Sequence, residues 1–202
     1  MNARSIDQQL ARAGFFSDVQ THDADSTGGG LVVVLNATGH ETLARLGMDG
    51  FRREVSRRVP GWAQEHAAWA IAPLGDQIWP AEALDRPRGI PRVLSHLRGQ
   101  STHRLLLEVT PELCWFQGHF PGRPILAGVV QLHLAALLAA HLFGLSGGLR
   151  EVTRLKFQHL VIPPRILDLL FESTGSQQIR FRYAAEDRVH SQGRLDFSGC
   201  AQ

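Results

Sequence analysis

A chain of 202 residues, 44% hydrophobic and 20% charged, can bury one large core or two small ones, and it lies outside the disordered, collagen-like and disulfide-dense classes. Basic minus acidic residues is 21 − 19 = +2, divided as 11 − 11 over residues 1–99 and 10 − 8 over residues 100–202. That balance argues against nucleic acid, whose phosphates call for a basic footprint.

Cys114 and Cys200 cannot make a disulfide framework and stand outside any zinc-ligand spacing, so reduced thiols, no metal and a cytoplasmic setting are expected. The opening MNARSIDQQLAR lacks the apolar stretch of a signal peptide. The longest apolar run, 132–145, is interrupted by His133 and His141 and falls short of the ~20 residues a membrane span needs.

In chain order, the spacing of Ile6, Leu10 and Ala13 predicts a helix over 5–13, followed by strands over 15–21 and 30–35. A helix over 40–59 ends before Pro60; its Leu43, Phe51 and Val55 turn to a core, and Arg52, Arg53, Arg57 and Arg58 read as a solvated face. A third strand is expected over 67–72, and the Pro- and Gly-punctuated GDQIWPAEALDRPRGIPR reads as a connection. Two modules, 1–92 and 93–202, follow from that division.

The second half has another rhythm. A strand over 103–109 leads through the loop GHFPGRPILAG into a strongly apolar helix over 128–143, which reads as buried on most sides. Four strands are then predicted, over 151–161, 166–173, 178–184 and 189–197, and the alternation of Ile179, Phe181 and Tyr183 with Arg180 and Arg182 gives the sheet one wet face. The expected class is α+β: a small N-terminal α/β subdomain, then an antiparallel sheet wrapped on a long central helix.

Two glycines and two prolines fix the chain around His119, just before that helix. A histidine on such a loop can act as general acid or base, because its ordinary pKa is close to working pH. The N–H of Gly128, at the helix start, can receive negative charge developing on a carbonyl oxygen. Spacing alone leaves open a structural loop whose histidine is merely exposed.

The string FQGHFPGRPILAGVVQ resembles the active-site segment of the hotdog-fold 3-hydroxyacyl-[acyl-carrier-protein] dehydratases. VTRLKFQHLVIPPRILDLLFE and VHSQGRLDFSG are similar to later strands of that family, so the likeness runs over about residues 100–199. It implies a hotdog fold and elimination of water from a 3-hydroxyacyl thioester. His119 falls on the catalytic histidine and Gly128 on the glycine whose N–H polarises the thioester carbonyl. Phe120, Pro121, Gly122 and Arg123 fall on the substrate-binding stretch.

The likeness further implies no cofactor beyond the phosphopantetheine that carries the substrate on acyl carrier protein. It implies a dimer, of identical copies or with a related dehydratase, whose sites are built from both subunits. Arg123 and Arg150 are candidates to meet the acidic carrier protein or its phosphate.

Two positions depart from the family pattern. Where the family has Glu or Asp on the central helix, fourteen residues past the histidine, this chain has His133, and Ala127 replaces the usual proline before the glycine. Imidazolium can also donate a proton, so a His119/His133 pair can serve the same elimination, and a branch associated with aryl polyene pigments resembles this chain in its GVVQLH-type helix. The alternative for His133 is a satisfied core histidine. Glu112 is a rim carboxylate near His119, His40 with Glu41 fails the HExxH pattern because Ala44 stands at its last position, and His141 is too far from His133 to share a metal ion.

IDQQLARAGFFSDVQTHDADSTGGGLVVVLNATG and then LARLGMDGFRREVSRRV, in the order helix, strand, strand, helix, resemble more faintly, over about residues 5–90, the small C-terminal subdomain of AMP-forming acyl ligases. The lysine that subdomain supplies is missing, since Lys156 is the chain's only lysine, so a docking module rather than adenylation is implied. Three functions stay open: a dehydratase of fatty acid or aryl polyene synthesis, a non-catalytic carrier-binding or partner subunit, and a hotdog thioesterase.

Overall fold

The computed structural model describes residues 3–22, 30–60, 68–74, 78–80, 89–117 and 122–199. The chain divides into two compact units, Met1–Pro73 and Leu74–Gln202. That division precedes the expected one at 92/93, because the Leu74 N–H donates to the Val93 carbonyl at 2.7 Å and the Trp79 side chain is buried in the second core. A Pro- and Gly-rich composition marks a connection without saying which core its tryptophan fills.

The first unit holds α1 (Ala3–Arg12), β1 (Phe16–His22), β2 (Gly30–Leu35), α2 (Ala37–Arg58) and β3 (Ala68–Ile71). Its sheet has the order β1-β2-β3, with β2 antiparallel to β1 and parallel to β3. The α2 helix starts three residues before the expected position because Asn36 caps it, its side-chain oxygen accepting the Gly39 N–H at 2.9 Å. Phe15 and Phe51, with ring centroids 5.4 Å apart, centre the core. Arg58, expected on a solvated face, lies over the Phe15 ring at 4.1 Å and donates to the Ala13 carbonyl at 2.8 Å, so its stem and charge cover an aromatic edge of the core.

The second unit holds β4 (Arg92–Arg98), β5 (Thr102–Val109), α3 (Gly128–Leu142), β6 (Leu149–Phe157), β7 (Arg165–Gly175), β8 (Gln178–Ala185) and β9 (Arg188–Phe197). Every pairing is antiparallel, in the order β4-β5-β7-β8-β9-β6. Inward side chains at every second position, among them Leu105, Leu107, Leu167, Leu169, Phe171, Ile179, Phe181 and Leu195, pack on Val130, Leu134, Ala135 and Leu138 of α3. The result is the hotdog arrangement, one helix held in a curled antiparallel sheet. β4 was not expected, and β6 begins and ends earlier than the predicted 151–161. Among the described residues no helix is long and apolar enough to cross a membrane.

α3 buries one face only. Val130, Gln131, Leu134, Ala135, Leu138 and Ala139 are buried, whereas Val129, His133 and His141 on the other side are exposed. The expectation of burial on most sides therefore fails within one copy of the chain. β6, at the sheet edge, adds Leu155 and Phe157 to this exposed apolar surface, and Leu160 and Ile162 follow it.

Candidate active site

The start of α3 is fixed from two directions. The Leu126 N–H donates to the Val161 carbonyl at 2.9 Å, and the Ala127 carbonyl accepts the Val130 and Gln131 N–H groups at 3.0 and 3.1 Å. Ala127 is the N-cap and makes no side-chain capping bond, and its φ of −56° is one that proline also takes. At a helix start the first N–H groups lack a carbonyl one turn earlier, and among the described residues no backbone carbonyl accepts from the Gly128 N–H.

Packing against Phe157 favours glycine at 128. A Cβ there would lie 2.7 Å from two ring carbons of Phe157, which closes over the helix start from β6. One turn further, Gln131 is 3% exposed and fully engaged: its Nε2 donates to the Leu126 carbonyl at 2.9 Å, the Ser191 hydroxyl donates to its Oε1 at 2.7 Å, and the Tyr183 hydroxyl donates to its backbone carbonyl at 3.1 Å. Burial pushes the Tyr183 phenol well above its ordinary pKa, so it stays a donor. Sequence reading missed this clamp; its signal was a lone amide on the buried side of an apolar helix.

His133 is exposed on the opposite face, which removes the reading of a satisfied core histidine. Its ring meets the edge of Trp115 at a centroid distance of 6.1 Å, and Trp115 is held in turn by donating its Nε1–H to the Gly89 carbonyl at 2.6 Å. Trp115 sits in a short 3₁₀ turn, Cys114–Phe116, and Cys114 is a free, half-buried thiol. Gly122, at φ +79°, and Arg123 are exposed ahead of the helix, and Arg150 is exposed on β6. His119, Phe120 and Pro121 lie outside the described residues.

Glu112 is fully exposed; a hydrogen bond from the Thr110 side chain holds its carboxyl below the usual range, as befits a rim group. Among the described residues no three His, Cys, Asp or Glu side chains gather to hold a metal ion. One cluster was not foreseen. His96 Nε2 and His103 Nδ1 are 2.8 Å apart across the β4–β5 hairpin, and the His103 ring stands edge-on to Phe143 at 4.7 Å. Burial first, then the His96 ring and the Arg98 charge, push the pKa of His103 down to about 4.

A family model described as ApeI-like, ApeI dehydratase, matches residues 95–194. A 3-hydroxyacyl-[acyl-carrier-protein] dehydratase FabZ of Novosphingobium aromaticivorans is 41% identical over 69 residues, 30% of this chain and 44% of the relative. The FabZ of Alkaliphilus metalliredigens is 36% identical over 74 residues, 33% of this chain and 50% of the relative. The chain thus spans about half the length of these curated relatives. Among solved structures, the dehydratase heterocomplex ApeI:P from Xenorhabdus doucetiae matches at 29% identity and a TM-score of 0.49, over 52% of this chain and 96% of that one. The dehydratase-like match thus falls within the second unit. The ligase likeness of the first unit has no counterpart among these findings.

Proposed function

We propose that the second unit dehydrates (3R)-hydroxyacyl thioesters, carried on the phosphopantetheine of acyl carrier protein, to trans-2-enoyl thioesters in fatty acid or aryl polyene synthesis. The observation that carries this reading is α3: it begins at Gly128, with no side-chain cap from Ala127, and displays His133 on its exposed face, inside the stretch that matches the dehydratase family. In the proposed reaction His119 takes the proton from C2, the electron pair forms the C2–C3 double bond, and the C3–oxygen bond breaks. His133, as imidazolium, protonates the departing hydroxyl, which leaves as water. The Gly128 N–H receives the negative charge that builds on the thioester oxygen as C2 loses its proton. No further cofactor enters.

The reading requires a second protomer, identical or a related dehydratase, to cover the exposed side of α3. Val129, Leu155, Phe157, Leu160 and Ile162 supply an apolar surface for it. Arg123 and Arg150 would meet the acidic carrier protein, the first unit would serve as a docking module, and the protein would work in the cytoplasm. A second reading, a non-catalytic partner subunit of a dehydratase complex, is favoured by His133 standing where the family has a carboxylic acid.

The test is conversion of 3-hydroxyacyl carrier protein to the enoyl product by the wild type and by His119→Ala, His133→Ala and His133→Glu. Turnover by the wild type, lost by at least about a hundredfold in each alanine variant, is expected. An inert wild type with an active His133→Glu variant would establish the partner-subunit reading instead, and release of free thiol without enoyl product would indicate a thioesterase.

A further inference from the structure

The outer face of the sheet, away from α3, carries guanidinium groups of two kinds. Arg104 is matched: its Nε and Nη2 donate to both carboxylate oxygens of the buried Asp168 at 2.7–3.0 Å. Further across the same face, a cleft of about 360 Å³ is lined by Arg154, Arg180, Arg182 and Arg194 together with Glu172 and Gln192. Strand alternation brings Arg180 and Arg182 to one side of β8, and the antiparallel register sets Arg180 directly opposite Arg194 on β9. Like charges facing each other across a ladder destabilise a sheet.

Only part of that charge is neutralised. Arg180 pairs with Glu172 at 2.8 Å and Arg194 with Asp196 at 3.2 Å, while Arg154 and Arg182 have no carboxylate partner among the described residues. Four guanidiniums against two carboxylates leave an excess of 4 − 2 = +2 at the cleft. The Nε of Arg194 is buried and bonds nothing among the described residues. Arg154 reaches the cleft from a bulge in β6, with φ at +52°, a left-handed conformation that side chains other than glycine adopt under strain. A sheet that concentrates like charge, orphans a donor and strains its backbone in one place carries a local conflict of the kind that marks a functional site.

We propose that this cleft is a binding site for a small phosphoanhydride, a ligand with two linked phosphoryl groups. The guanidinium fork matches phosphate oxygens two at a time, and arginines from three strands, β6, β8 and β9, can bracket both groups where one phosphate reaches fewer of them. Leu170, which also lines the cleft, offers an apolar surface to the organic part of such a ligand. The site stands apart from the proposed dehydratase chemistry on α3 and does not depend on it.

The experiment is titration calorimetry of the full chain with inorganic pyrophosphate, inorganic phosphate and chloride at one ionic strength. Pyrophosphate is expected to bind with a submillimolar Kd, at least tenfold tighter than phosphate. The variant Arg154→Gln/Arg182→Gln is expected to weaken it at least tenfold with an unchanged circular dichroism spectrum, and Arg182→Lys, which keeps the charge and loses the fork, to fall between. Equal binding of phosphate and pyrophosphate, or pyrophosphate binding that the double variant and Arg182→Lys leave untouched, would overturn the proposal. So would absence of pyrophosphate binding together with a change of sedimentation coefficient in the double variant, which would make the face a contact between copies.

Discussion

The two faces of α3 are built on opposite rules. Toward the sheet, every polar atom of Gln131 has a partner and the neighbouring positions are Leu, Val and Ala, an environment that tolerates little change. Away from the sheet, an imidazole and an apolar valine face outward, and among the described residues the imidazole meets the edge of Trp115. The difference teaches that the first face holds the fold together, while the second, on the proposed function, acts through what meets it from outside.

Substitution separates the two most sharply. His133→Ala should change the unfolding free energy by less than about 0.5 kcal/mol, as for a surface site, while turnover falls at least about a hundredfold. Gln131→Ala reverses the pattern: it leaves the Leu126 carbonyl and the Ser191 hydroxyl without their bonds in a buried setting and should cost about 3 kcal/mol, read as a lower urea midpoint. Equal stability losses from both would erase the distinction.

A smaller effect tests the junction of the faces. Gly128→Ala puts a methyl group against the Phe157 ring and should cost about 2 kcal/mol; Phe157→Leu in the same chain should recover part of it, since a smaller, flexible side chain can yield. No recovery in the double variant would mean that the ring is not what excludes a side chain at 128.

The smallest expected effect lies at the β4–β5 hairpin. His103 is held neutral, with its pKa near 4 in the folded chain against 6.5 in the unfolded one. Between those values the unfolded state binds the extra proton, so stability is complete above about pH 6.5 and declines as pH falls toward 4. With solvent screening the loss amounts to about 1 kcal/mol. Comparing urea midpoints at pH 7 and pH 5 for wild type and His103→Gln should show the variant with the shallower slope.

The hotdog unit was largely legible because its signals are local. Alternation in β8, the Gly- and Pro-rich loop and the continuous apolar helix each read within a few residues, and Gly128 and His133 fell on that helix as expected. β4 was not legible: RVLSHLR mixes charged and apolar positions and sits among prolines and glycines, as edge strands often do. Missing that strand also hid the histidine pair. Arg98 faces His103 and His96 faces Leu105, so the two imidazoles become diagonal neighbours only once the hairpin register is known. The single-sided burial of α3 escaped for another reason: composition measures how apolar a helix is and is silent on which of its faces the sheet covers.

The contact between Phe157 and Gly128 joins an edge strand to the first turn of a helix twenty-nine positions earlier in the chain. This contact couples the two positions. A gene library randomised at 128 alone should return glycine, whereas one that also varies 157 should admit alanine or serine wherever the ring is lost. A side chain at 128 is therefore expected to arise in a lineage together with a smaller residue at 157, with the strand residue giving way first.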